Sequence, residues 1–272
     1  MNYHRISDSE VERFEKDGFL ILPGYFHPEE IERIYGMARQ DDVLKKKAID
    51  RGDAEGLRTR LSLWYNLDDS IYSLMARGER LVGGAEKILG TSVGHFHTKL
   101  MQKEPKKGGA WEWHQDYGYW YRDGFLLPDM ISVMTALSPA NKENGCLQVI
   151  RGSHKLGRVY HGFAGEQVGA DMERVEETLK RMELVYVELN PGDSLFFHCN
   201  LLHRSDANLS DFPRWSIISV YNSLSNIPFK GTNTSSYTPI DRVSDEAIME
   251  TDLIGISEDL EFNEIVTKSR TD

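Results

Sequence analysis

Apolar and polar positions along this chain follow two periods, and the change between them falls near Gly94. Ahead of it the spacing is helical. Ser7-Asp8-Ser9-Glu10 offers cap residues and acids before Val11 and Phe14, which predicts a helix start, and Gly18 predicts its end. Phe19-Leu20-Ile21-Leu22 reads as a short buried strand closed by Pro23-Gly24. Pro28 sits at a first helical position after His27, and Ile31, Ile34, Tyr35 and Ala38 carry a second helix to about Gln40. From Asp41 to Asp69 neither period holds, and Lys45-Lys46-Lys47 reads as a solvated helix face. A further helix is predicted over Ile71 to Leu89.

Short strands follow. His95 to Met101, Ile131 to Leu137, Cys146 to Ile150, Leu184 to Leu189, Ser194 to His198 and Trp215 to Tyr221 all have strand character. Lys106-Lys107-Gly108-Gly109 and Asn190-Pro191-Gly192-Asp193 are turns. Glu166 to Glu183 interrupts the series as a charged helical insertion with Val175, Leu179 and Met182 on its apolar side. The tail after Asn222 is acidic and turn-rich, with a short amphipathic piece near Ile248 and Ile254. Helices first and strands afterwards predict a mainly β fold with flanking helices, a jelly-roll barrel buttressed by the N-terminal helices. Residues 1–272 read as one domain: a helical part over about 1–93, a core over about 94–224 and a tail over 225–272.

Composition narrows the partners. A chain of 272 residues that is 40% hydrophobic can bury a substantial core. A formal charge of −11 argues against nucleic acid or an anionic membrane as partner, and leaves a small molecule. Cys146 and Cys199 are too few for a disulfide framework and read as buried thiols. No run approaches the roughly 20 apolar residues of a membrane span, and the first residues carry no apolar leader, so a cytoplasmic protein is expected. Oligomeric state stays open.

The candidate chemistry centres on Trp111 to Asp123, where His114 and Asp116 stand one residue apart. On an extended strand both side chains share a face, and an imidazole beside a carboxylate can take two neighbouring positions on a divalent metal. A late histidine would complete a 2-His-1-carboxylate face of the kind that suits non-heme Fe(II) and dioxygen. His198 and His203 compete for that place. His203 is favoured because Ser205 follows it, and Arg214 with Ser216 opens the next strand. A guanidinium fork is what a 2-oxoglutarate carboxylate needs, and a serine hydroxyl beside it adds a donor. His198, in Phe197-His198-Cys199, reads as a packed, hydrogen-bonded histidine of the core or just behind the site.

The ordered landmarks His114-Gln115-Asp116, Asn144-Gly145-Cys146-Leu147, Gly152-Ser153-His154-Lys155, Gly192-Asp193, Phe196-Phe197-His198, His203 and Arg214 resemble the phytanoyl-CoA dioxygenase family, which includes the ectoine hydroxylases. The resemblance runs from about Phe14 to Asn222. It implies a double-stranded β-helix, with Fe(II) as metal and 2-oxoglutarate and dioxygen as cosubstrates. It implies His114, Asp116 and His203 as iron ligands and Arg214 as the grip on the distal carboxylate, helped by Ser205 or Ser216. Lys99 or Gln102, on the strand before, is implied as a further cosubstrate contact. Gln115 stands where ectoine hydroxylases carry Ser, and the run His97 to Pro105 differs from theirs, which points away from ectoine itself. Asp116 occupies the position that related halogenases leave small, so hydroxylation is expected.

Trp111, Trp113, Tyr117, Tyr119, Trp120 and Tyr121 crowd this stretch and read mostly as packing. Alternation makes Trp120 the expected pocket wall, with Tyr117 or Tyr119 brought round if the loop after Asp116 bends. Ring faces in an acidic protein favour a small cationic or zwitterionic metabolite over an acyl-CoA, whose phosphates need a basic cradle. Two other readings compete: a cupin-type metalloenzyme without 2-oxoglutarate, which Arg214 disfavours, and a jelly-roll binding module, which the joint presence of three ligand candidates disfavours.

Overall fold

In the computed structural model, residues 3–53, 55–164, 167–230, 234–252 and 254–262 are described; Glu166, where the charged insertion is expected to open, and the end of the tail lie outside them. α1 (Asp8–Asp17) begins in a reciprocal cap in which Ser7 and Glu10 serve each other's backbone. It ends at Gly18, whose φ of 82° and contact with the His154 ring leave no room for a Cβ. β1 (Phe19–Leu22) leads to α2 (Pro28–Gln40) and to α3 (Asp42–Lys47), whose first N–H groups donate to Asp41. The stretch without a readable period then forms a hairpin, β2 (Ile49–Gly52) with β3 (Arg58–Trp64). The single helix expected over Ile71 to Leu89 is two, α4 (Ile71–Arg77) and α5 (Glu79–Leu89), separated at the extended backbone of Gly78.

β4 (Val93–Lys103), β5 (Trp111–His114) and the short α6 (Asp116–Trp120) follow, then β6 (Met130–Ala136) and β7 (Leu147–Ile150). β8 (His161–Ala164) and β9 (Gln167–Ala170) pair, so the predicted helical insertion opens as a strand and only α7 (Met172–Leu179) is helical. β10 (Leu184–Val187), β11 (Ser194–His198), β12 (His203–Ser205), β13 (Arg214–Ser223) and α8 (Ala247–Glu250) complete the described elements.

Seven strands form one sheet in the order β1-β11-β6-β13-β4-β3-β2, and four form a second in the order β10-β7-β12-β5. The result is a jelly roll of two sheets without a closed barrel. Side-chain alternation splits the large sheet between two cores. Phe196 joins Leu20, Leu100, Val133 and Ile217 against the helices. Its neighbour Phe197 joins Phe19, Met101, Met134 and Ile218 on the opposite side, with Val149 and Leu147 of the small sheet. Burying each phenyl ring contributes roughly 2–3 kcal/mol, so both faces are held firmly. The tail, expected to be turn-rich with a short amphipathic piece near Ile248 and Ile254, packs Ile248, Ile256 and Phe262 into the helix-side core. The inner face is the one that carries the polar cluster described next.

Candidate metal centre and cosubstrate pocket

His114, Asp116 and His203 converge as a buried group whose ligand atoms lie within 4.8 Å of one another. His203 on β12 pairs directly with His114 on β5, and their rings are 4.0 Å apart. The two Nε2 atoms stand 3.7 and 3.8 Å from Asp116 Oδ1. Asp116 is not on the strand, as the alternation argument requires. The strand ends at His114, and Asp116 opens α6; the turn of the helix, not a period of two, returns its carboxylate to the histidines. Gln115, between them, is tied on every side. Its side-chain amide donates to the carbonyls of Gly157 and Asn200, its carbonyl accepts from the Val159 N–H, and its own N–H donates to His161 Nε2. Gly118 lies so close beneath the His161 ring that a Cβ there would sit 2.5 Å from it.

The protonation states suit a metal. Nδ1 of His114 lies 2.7 Å from the Glu112 carbonyl, and Nδ1 of His203 lies 2.9 Å from the Leu201 carbonyl. A carbonyl only accepts, so each Nδ1 carries the proton and each Nε2 keeps its lone pair. Burial, reinforced by His114, pushes the His203 imidazole down to about 3, so it stays neutral. Burial alone would raise the Asp116 carboxyl, but the Lys99 charge first, and then the imidazoles of His114 and His203 beside it, hold it well below the usual range. Its Oδ2 accepts from Ser132 Oγ at 2.7 Å, an orienting contact that the sequence reading missed. Two imidazoles presenting Nε2 and one ionised carboxylate are the donor set that Fe(II) takes.

The remaining candidates divide by strand parity. Lys99, Lys103, Arg214 and Ser216 share the inner face, because Arg214 pairs with Lys103 and Ser216 with Met101. Gln102 pairs with Trp215 on the other face, toward the helices, and so points away from the centre that was expected to include it. Arg214 is buried, its Nε has no partner among the described residues, and neither does the Ser216 hydroxyl. Burial pushes the guanidinium down to about 10, which leaves it cationic at neutral pH. A cation and a hydroxyl left over in a dry interior fit the carboxylate of a cosubstrate. Ser205 is already engaged: Lys103 Nζ donates to its hydroxyl at 2.8 Å and to the Asp206 carbonyl at 2.6 Å. His198 faces elsewhere, stacked on Phe14 and His154, with its Nδ1 accepting from the Asn200 N–H.

A cavity of about 220 Å³ opens on the metal cluster and is lined by His114, Asp116, Lys99, Tyr119, Trp120 and His97, among others. Trp120 stands edge-on to Phe96 and His97 as a wall. Tyr119 also faces the cavity, its ring 5.7 Å from that of His114 and its hydroxyl donating to Val168. Tyr117 does not. Helical backbone turns it away, and its hydroxyl donates to the Phe125 carbonyl. The β2–β3 hairpin supplies Ile49, Arg51, Leu61 and Leu63 to the wall, none of which the sequence reading singled out. The alternation of Thr59, Leu61 and Leu63 with arginines was the available signal.

The sequence family described as Phytanoyl-CoA dioxygenase (PhyH) matches residues 14–216. The chain belongs to this family. Its reaction class is that of a dioxygenase using Fe(II) and 2-oxoglutarate. Relatives include the ectoine dioxygenase of Bordetella bronchiseptica, 28% identical over 81% of this chain and 77% of that protein. The L-proline trans-4-hydroxylase of Streptomyces griseoviridis is 28% identical over 79% of this chain and 86% of that protein. In structure, iron-bound EctD from S. alaskensis superposes with a TM-score of 0.71 at 24% identity, covering 90% of this chain and 89% of that one. The carbocyclase SnoK from nogalamycin biosynthesis gives 0.65 at 20% identity, over 91% and 98%. No helix among the described residues is long and apolar enough to cross a membrane.

Proposed function

We propose that the protein hydroxylates an unactivated C–H of a small polar metabolite, with His114, Asp116 and His203 holding Fe(II). When bound, the metal with 2-oxoglutarate and dioxygen supplies the oxidising power, and succinate and carbon dioxide are released. The residues of the chain do the rest. Carbonyls of Glu112 and Leu201 fix the two imidazoles, and Ser132 fixes the carboxylate. Arg214 grips the distal carboxylate of 2-oxoglutarate, with Ser216 as the hydroxyl donor in preference to Ser205, which Lys103 occupies. Lys99 adds a positive charge beside the metal carboxylate, where an anionic keto acid binds. The aromatic side chains of Trp120 and Tyr119 exclude water from the reacting face.

The observation that carries this reading is the buried Arg214, without a partner among the described residues, facing the same interior as the two-histidine, one-carboxylate cluster. The small-metabolite substrate rests on the relatives, which act on ectoine and L-proline by name, and on the size of the cavity. About 220 Å³ is less than the ~300 Å³ at which pockets for drug-sized ligands begin, too little to enclose an acyl-CoA. The test is 2-oxoglutarate-to-succinate conversion with Fe(II), run with amino acids and betaines in one panel and branched acyl-CoA thioesters in the other. Stimulation by the first panel is expected; strong turnover of an acyl-CoA alone would overturn the substrate class.

A further inference from the structure

Arg51 is the cavity-lining cation that the iron and cosubstrate roles do not use. On β2 and β3, alternation sends Asp50, Arg58 and Arg60 outward, where they serve one another: Arg58 donates to the Asp50 carbonyl at 3.0 Å, and Arg60 lies 3.4 Å from its carboxylate. Arg51 points the other way, into the cavity, partly buried and with no hydrogen bond or ion pair among the described residues. An arginine facing an enclosed aromatic space without a carboxylate partner is matched to a ligand that brings one.

That ligand is not 2-oxoglutarate. Register places Arg51 opposite Thr59, which is next to Arg60, itself opposite Gln102; Lys103 then faces Arg214. Arg51 and Arg214 therefore lie at one level, three strands apart, on the order of 14 Å at the usual strand spacing. A short diacid held at Arg214 does not span to Arg51. The cavity that holds both the metal cluster and Arg51 is also lined by Trp111, Tyr119, Leu61 and Leu63, apolar surface for a carbon skeleton. His97 adds a second polar group. Its Nε2 is buried without a partner among the described residues, in a ring that packs against Trp120.

We propose that the substrate is a small carboxylic acid whose carboxylate is held by Arg51, with its carbon chain laid along the aromatic wall and a second polar group at His97. This rests on the oxygenase reading of the same site and narrows it. A zwitterion or a plain acid satisfies Arg51, whereas a cation without a carboxylate leaves it unpaired in the cavity.

The experiment offers the Fe(II)- and 2-oxoglutarate-loaded protein the proteinogenic L-amino acids and small cyclic and straight-chain monocarboxylates, each beside its methyl ester. Succinate, the mass gain of one oxygen in the acid, and saturation-transfer NMR of acid against ester are read together. Acids are expected to bind and to be hydroxylated, and their esters are not. Arg51→Gln is expected to raise the KM for the best acid about 30-fold or more, since a charge-assisted fork is lost. Turnover of esters as well as acids, stimulation by no acid, or a rise in the 2-oxoglutarate KM in place of the acid's would each overturn the proposal. Absence of the charge-transfer band of Fe(II) with 2-oxoglutarate in the unsubstituted protein would instead sink the underlying oxygenase reading, which keeps the two failures apart.

Discussion

Glu112 and Leu201 contribute no side-chain chemistry, yet their carbonyls decide which nitrogen each metal-centre histidine offers. The same economy governs the cosubstrate end. Arg214 has burial and an orphaned Nε but no carboxylate partner among the described residues, so its charge is left for a ligand. Removing it should cost the complex roughly 2–4 kcal/mol, the worth of a bidentate charge-assisted contact. Arg214→Leu is therefore expected to raise the KM for 2-oxoglutarate about 30-fold or more, measured by succinate formation at saturating Fe(II). An unchanged constant would move the grip to Lys99. The grouping of His114, Asp116 and His203 was legible in residue type, order and the family resemblance, and Arg214, named with them, lies buried on the inner face. Ser132 and Lys103 were not legible, because a serine and a lysine inside strands carry no mark of what they will face.

Among the elements, the join between β5 and α6 controls the centre. Sequence periodicity put Asp116 on a strand, and the prediction failed where Gln115 locks a switch to helical backbone through contacts with Gly157, Val159 and Asn200, residues more than 40 positions away. No local pattern encodes such partners. Of the two tyrosines that a bend after Asp116 was expected to bring round, the helical turn brings Tyr119 to the cavity and turns Tyr117 away. His161 holds the join from below: its Nδ1 donates to the Val159 carbonyl, and its Nε2 accepts the Gln115 N–H. Burial lowers its imidazole from 6.5 to about 4. Between those values the unfolded chain takes up a proton that the folded chain refuses. Stability contributed by the neutral ring is thus present above pH 6.5 and lost as pH falls toward 4, by roughly 3 kcal/mol at the lower end. Urea midpoints at pH 7 and pH 4.5 should show this loss, and His161→Gln should show a shallower one. An equal pH dependence in the two proteins would remove His161 from the account.

For the molecule as a whole, the large sheet works as a partition between a helix-side core and a site-side core. Most of the strands and the helical start were legible because alternation and caps are local. The β2–β3 hairpin was not, since β2, Ile49–Gly52, carries a single apolar residue and shows no alternation to match that of β3, and the division of Ile71 to Leu89 into two helices rests on one extended residue, Gly78. A partition implies that the cores are separable. Phe196→Ala, on the helix side, should destabilise the fold by about 3–5 kcal/mol in chemical denaturation while leaving the KM for 2-oxoglutarate within about twofold. A large change in that constant would mean that the sheet transmits packing to the site.

The most direct test of the account is anaerobic Fe(II) titration of the purified protein and two single variants. One Fe(II) per chain is expected, with tight binding retained in His198→Ala and lost or strongly weakened in His203→Ala. Retention of the metal by His203→Ala together with its loss from His198→Ala would contradict it.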